Sequence, residues 1–169
     1  VCRRKLGDNM SVADRVPGVS EYGSVDPAPP SKLADVTSLR SILVDENQKM
    51  FQRMRSVFSL RNMRTDEAAL ALCDGFSSKS ALLRHEIAYV LGQMQNPSAV
   101  EKLIQVLRDE DEHVMVRHEA AEALGAIGDR RAVSILSEFL DDEQPEISES
   151  CEVALDLLAL CSSDENIDW

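Results

Sequence analysis

An Arg-His-Glu triplet that recurs after 33 residues constrains this chain more than any other feature. It lies in Leu83-Arg84-His85-Glu86-Ile87-Ala88-Tyr89-Val90-Leu91-Gly92 and again in Val116-Arg117-His118-Glu119-Ala120-Ala121-Glu122-Ala123-Leu124-Gly125. Self-similarity at such a period marks a supersecondary unit stacked on copies of itself, because a single unit cannot bury its apolar face alone. Within each copy the apolar residues recur every three or four positions. Leu83, Ile87, Val90, Leu91 and Met94 form one stripe, and Val116, Ala120, Ala123, Leu124 and Ile127 form its counterpart, the pattern of an amphipathic helix. The expected fold is all-α, with helical hairpins stacked as an α-solenoid.

At roughly 100° per residue, His85 points away from the centre of its stripe and Glu86 sits on the flank; His118 and Glu119 repeat the arrangement. Both pairs are therefore expected outside the core, as one patch on the concave surface that the inner helices present side by side. Packed helices lie about 8–10 Å apart, so imidazoles reaching from two of them can close on one ion at the roughly 2.0–2.1 Å typical of a zinc–imidazole bond. His85, Glu86, His118 and Glu119 are thus candidate metal ligands. The plain alternative is a solvated helix face on which duplication has copied an idle dipeptide.

In chain order, residues 1–31 contain several glycines and prolines and no sustained apolar period, and read as a disordered leader or linker. From there to residue 162 the composition is helical. Four hairpins are expected, at 32–64, 65–96, 97–129 and 130–162, with a tail at 163–169. Thr65, Asn96-Pro97 and Asp129 supply helix-start chemistry at the boundaries. Gly92, Gly125 and Gly128 suit close helix packing or a helix exit. Aligned on Leu60, Leu91, Leu124 and Leu155, the histidine slot reads Met54, His85, His118, Glu149 and the glutamate slot Arg55, Glu86, Glu119, Ser150. The central units bear the pair, and the outer two read as flanking units.

The net charge of −12 argues against binding a nucleic-acid backbone and favours a cationic partner. No apolar run is long enough to span a membrane. Cys2, Cys73, Cys151 and Cys161 lack CxxC spacing and read as free thiols of a reducing compartment. His113 falls in the acidic segment Asp109–Glu112, read as a solvated loop, and the acidic run from Glu143 to Glu152 reads as a solvated helix face. Neither a phosphate-cradling glycine loop nor a nucleophile elbow occurs.

Over residues 50–158, and most specifically in Ala81–Gln95 and Met115–Asp129, the chain resembles deoxyhypusine hydroxylase. The resemblance implies HEAT-like repeats and a di-iron centre held by His-Glu pairs. It also implies an iron- and O2-dependent monooxygenase, cytoplasmic, which hydroxylates the deoxyhypusine side chain of a translation initiation factor to form hypusine. His85, Glu86, His118 and Glu119 fall on iron-ligand positions of the family, while Tyr89 and Glu122 are candidates for the substrate groove. The family needs four pairs, two on each of two facing halves, and this chain matches the N-terminal half. The resemblance therefore implies completion by a complementary C-terminal half or by a second copy in a homodimer. Two rival readings are a non-catalytic HEAT-repeat scaffold binding a basic partner protein, and a phycobilin-type lyase that needs no metal.

Overall fold

The computed structural model describes residues 26–33 and 35–162; most of the expected leader, the tail and Cys2 lie outside them. Among the described residues eight α-helices succeed one another as four hairpins. These are α1 (Val36–Val44) with α2 (Met50–Met63), α3 (Asp66–Asp74) with α4 (Ala81–Met94), α5 (Val100–Arg108) with α6 (Val114–Ile127), and α7 (Val133–Glu138) with α8 (Pro145–Ser162). The second helices form a layer of their own, α2 against α4, α4 against α6 and α6 against α8. Among the described residues the fold is all-helical, a stack of four hairpins as expected.

Local chemistry sets where each helix starts. Asp35, Thr65 and Ser80 each accept a hydrogen bond from the backbone N–H three residues on, satisfying donors that the helix itself leaves unpaired. His113 caps α6 in a similar way, its Nδ1 accepting from the Met115 N–H at 3.2 Å. It is exposed, but it is a cap and not merely a loop residue. At the other end, α2, α4 and α6 all exit through a left-handed residue, Arg64, Gln95 and Gly128. Gln95 is tied down by donating its side-chain amide to the Ala126 carbonyl at 2.9 Å, which fastens the end of α4 to the end of α6.

Both apolar stripes are in the core: Leu83, Ile87, Val90, Leu91, Val116, Ala120 and Leu124 are fully buried. Gly125 marks where α6 and α8 come closest, since a Cβ there would lie 2.8 Å from both Cα and Cβ of Ala154. Gly92 does the same for α4 against Ala123, with 3.1 Å to its Cα. Phe51, near the start of α2, turns outward and is 52% exposed. It joins Leu82 and Met115, exposed at the equivalent positions of α4 and α6.

The arginine of the repeated triplet is a structural tie. Arg117 is buried, donating from Nε to the Leu107 carbonyl at 3.0 Å and from Nη2 to Asp142 at 3.2 Å. Arg53, at the same slot in α2, donates to the Leu43 carbonyl, to Glu46 and to Ser78. Arg84 donates to the Ser78 carbonyl and, through two nitrogens, to Glu112. Each guanidinium satisfies a carbonyl at the end of a first helix or in the turn after it and reaches an acidic side chain, so one edge of the stack is bound to the layer of second helices.

Residues 26–31 are also packed against α2, ahead of the boundary at residue 32 expected from composition. Asp26 takes two hydrogen bonds from the fully buried Arg61, at 2.8 and 2.7 Å. Ala28 is buried, Arg55 donates to the carbonyls of Pro29 and Pro30, and the Ser31 N–H donates to Ser59 Oγ. A segment without apolar periodicity is held here by side chains donating to its backbone, which hydrophobic patterning cannot reveal. No helix among the described residues is long and apolar enough to cross a membrane.

Candidate metal centre

Because α4, α6 and α8 lie side by side, a residue on one helix meets a partner on the next rather than solvent. His85 on α4 places Nε2 3.2 Å from Oε2 of Glu119 on α6. His118, one residue before Glu119, places its own Nε2 3.8 Å from the same oxygen. One ligand atom from each of the three lies within 4.8 Å of the others. Two donors bound at about 2.0–2.2 Å to one tetrahedral ion lie roughly 3.3–3.6 Å apart, and the 3.2 and 3.8 Å spacings from Glu119 fall on either side of that range. Two imidazoles and a carboxylate are also the donor types that suit iron and zinc rather than thiolate-seeking metals.

The sequence places all four ligand candidates outside the core, and the structure corrects that for one. Glu119 is buried, with 8% of its surface exposed. A helical wheel treats α6 as a lone cylinder, but α4 and α8 both pack against it, and His85 of α4 reaches the glutamate. His85 and His118 keep more surface, with side chains 31% and 21% exposed, so the cluster opens on the histidine side.

Glu86 does not join the other three. It is half-buried and faces the charges of Asp26 and Arg61 as well as those of His85 and Glu119. Burial pushes its carboxyl above the usual carboxylate range, with Asp26 and Glu119 adding to the rise and His85 and Arg61 opposing it. The Glu119 carboxylate, accepting a hydrogen bond, raises the His85 imidazole against the effect of burial, with Glu86 and Glu122 assisting. Of the groove candidates, Glu122 has Oε1 3.4 Å from His118 Nδ1 and stays about half exposed. Tyr89, one turn beyond His85, is 37% exposed.

Two features of the site escape a reading of the sequence. Ser150, which departs from the repeated glutamate, brings its hydroxyl to 2.7 Å from His118 Nδ1. Arg61 reaches Gln93 of α4 at 3.2 Å as well as Asp26, so the segment ahead of α1, α2 and α4 meet at one buried guanidinium. The only hint of the second is a charged residue on an otherwise apolar face of α2.

Cysteine is not part of the cluster. Cys73 and Cys151 are free, and burial pushes their thiols up to about 12 and about 11, which keeps them protonated and weakly nucleophilic. An open groove of about 430 Å³ lined by Leu70, Cys73, Phe76 and Lys102 lies on the first helices of the hairpins, apart from the cluster.

A family model described as HEAT repeats matches residues 36–114 and 69–156. The chain is 53% identical over 141 residues to the deoxyhypusine hydroxylase of Gallus gallus, a match covering 83% of this chain and 47% of that protein. It is 50% identical over 141 residues to the Homo sapiens deoxyhypusine hydroxylase, covering 83% and 47%. With the Saccharomyces cerevisiae protein of the same name the identity is 51% over 149 residues, covering 86% and 46%. The structure of human deoxyhypusine hydroxylase in complex with glycerol superposes with a TM-score of 0.83 at 48% identity, covering 86% of this chain and 50% of that one. The chain spans about half the length of the curated relatives it matches.

Proposed function

The chain belongs to the HEAT-repeat family, and from that premise we propose that it supplies one wall of a deoxyhypusine hydroxylase active site. The observation that carries this reading is the convergence of His85, His118 and Glu119 within 4.8 Å, in a chain about half identical to proteins of that name. The activity is a monooxygenation, the hydroxylation of a deoxyhypusine side chain on a translation initiation factor, giving hypusine. The setting is cytoplasmic.

His85, His118, Glu119 and Glu86 are the residues that hold iron in this reading. Iron bound there supplies the activation of O2 needed to hydroxylate an unactivated carbon. The protein's own part is geometric and electrostatic. The buried carboxylate of Glu119 balances the ion's charge, and the exposed edges of His85 and His118 leave coordination positions accessible. Glu122 and the outer oxygens of the other carboxylates accept hydrogen bonds from the cationic amines of the substrate side chain, and Tyr89 borders the same face. The excess of acidic residues favours that cationic partner.

One wall does not enclose a di-iron pair. Phe51, Leu82 and Met115 recur at the same slot of α2, α4 and α6, 52%, 62% and 41% exposed, and exposed large apolar side chains repeated along one layer suit a surface that another one covers. A complementary set of His-Glu hairpins, on a C-terminal half or on a second copy related by a two-fold axis, completes the site in this proposal.

The test combines iron content with turnover. The chain alone is expected to bind iron weakly and to leave the deoxyhypusine-bearing factor unmodified, and adding the complementary half should restore both. His85→Ala or His118→Ala should abolish iron uptake with helicity retained. A preparation that stays metal-free after anaerobic reconstitution, in the presence of the complementary half, refutes the enzyme reading and favours a scaffold that binds a basic protein.

A further inference from the structure

The repeat obeys a register rule in which the histidine slot of one helix faces the glutamate slot of the next. His85 on α4 meets Glu119 on α6 at 3.2 Å, and His118 on α6 meets the corresponding residue of α8. That residue is Ser150, whose Oγ lies 2.7 Å from His118 Nδ1 and which is buried, with 6% of its surface exposed. We infer that Ser150 is a positioning residue for His118, holding the imidazole with the proton on Nδ1 so that the Nε2 lone pair is presented to the metal. This rests on the metal reading proposed above and extends the site into the fourth hairpin, which lacks the His-Glu pair.

The groups around the ring decide the tautomer. On the Nδ1 side lie Ser150 Oγ and, at 3.4 Å, Oε1 of Glu122. A carboxylate can only accept a hydrogen bond, and a hydroxyl can accept one, so a proton on Nδ1 suits both neighbours. The opposite tautomer aims a lone pair at the Glu122 carboxylate. It also places the N–H on Nε2, which faces the Glu119 carboxylate only at 3.8 Å, beyond hydrogen-bond reach. A ligating histidine whose other nitrogen donates to a fixed oxygen is oriented by it, and losing that oxygen typically weakens metal binding about 10–100-fold. Glu122 is half exposed and farther off, so the buried hydroxyl is the anchor.

The chain contains its own control. It has three histidines, and His113 uses Nδ1 to accept from the Met115 N–H, which requires its proton on Nε2. Nitrogen-15 spectra of the metal-free chain, recorded above the ordinary imidazole range of about 6.5, should therefore show His118 with the proton on Nδ1 and His113 with the opposite tautomer. Ser150→Ala, a change that favours helix, should mix the His118 tautomers, leave His113 unchanged, and weaken Co2+ binding about 10–100-fold. Ser150→Thr, which restores the hydroxyl, should restore both, and Glu122→Ala should leave the tautomer in place. A proton on Nε2 of His118 in the unsubstituted chain overturns the inference. So does a Ser150→Ala chain with unchanged tautomer and unchanged Co2+ affinity, or a tautomer that responds to Glu122→Ala instead. An unsubstituted chain that takes up no Co2+ even with the complementary half present overturns the metal reading, and the metal-free spectra then judge the Ser150 hydrogen bond separately.

Discussion

The second and third hairpins carry the same three residues in the same order, yet they give different things to the site. On α6 the triplet is enclosed: Arg117 is buried against the Leu107 carbonyl and Asp142, Glu119 is buried between helices, and His118 is fastened to Ser150. On α4 it is more open. Arg84 pairs with Glu112 at the edge, His85 reaches across to α6, and Glu86 faces the region of Asp26 and Arg61. A linear stack explains the difference. Each slot is completed by the residue one slot on in the next helix, so a repeated motif takes its role from its neighbour in the stack rather than from its own letters.

The largest expected effect tests the arginine. Removing one partner of a buried, hydrogen-bonded ion pair leaves the other uncompensated and costs about 3–5 kcal/mol. Arg117→Ala, which also orphans the Leu107 carbonyl and strips a guanidinium stacked 5.2 Å from the Phe139 ring, should fall in that range by urea denaturation. Arg84→Ala should cost less, because the Arg84 side chain is itself 15% exposed against 4% for Arg117, so its pair with Glu112 is less fully withdrawn from water. Equal losses at the two positions would show that enclosure of α6 is not what separates the hairpins.

Next in size is the approach of the helices themselves. Gly125→Ala forces a methyl group against the Ala154 backbone at 2.8 Å, whereas Gly92→Ala meets Ala123 at 3.1 Å. Overpacking of this kind costs roughly 1–3 kcal/mol, and the larger share belongs to Gly125. A thermal midpoint lowered more by Gly92→Ala than by Gly125→Ala would reverse the comparison and place the tighter contact between α4 and α6.

How much of this is legible in sequence depends on the range of the interaction. The stripes through Leu91 and Leu124 and the caps Thr65 and Asp129 arise from patterns a few residues long, the stacked architecture from their recurrence along the chain, and those patterns survive stacking. Any statement about which faces remain wet does not survive it. Glu119 is polar on the wheel of its own helix and buried once two neighbours arrive. Ser150 looks like a lapse in the repeat, since nothing local links it to a histidine 32 residues earlier. Asp26 is likewise invisible, its partner Arg61 lying 35 residues along the chain. Contacts made by a single buried polar group leave no periodic trace.

The smallest expected effect is also the sharpest test of the asymmetry between the two glutamates. Glu119 Oε2 is the oxygen toward which both imidazoles converge, at 3.2 and 3.8 Å, while Glu86 stands outside the cluster. Replacing a carboxylate by the isosteric amide keeps shape and removes charge, so the fold should tolerate Glu119→Gln and Glu86→Gln equally. Metal binding should not. In the chain alone, Glu119→Gln should weaken Co2+ binding by at least about tenfold, roughly 1.4 kcal/mol, because the ion loses its one charged donor in the cluster. Glu86→Gln should change it by less. Once a complementary wall is supplied, Glu86 gains the prospect of a metal on its own side, and the cost of Glu86→Gln should rise toward that of Glu119→Gln. Calorimetric titration of both variants, with and without the complementary half, separates the cases. If Glu86→Gln already costs as much as Glu119→Gln in the chain alone, the two hairpins are equivalent at the metal, and the order imposed by the stack does not reach the site.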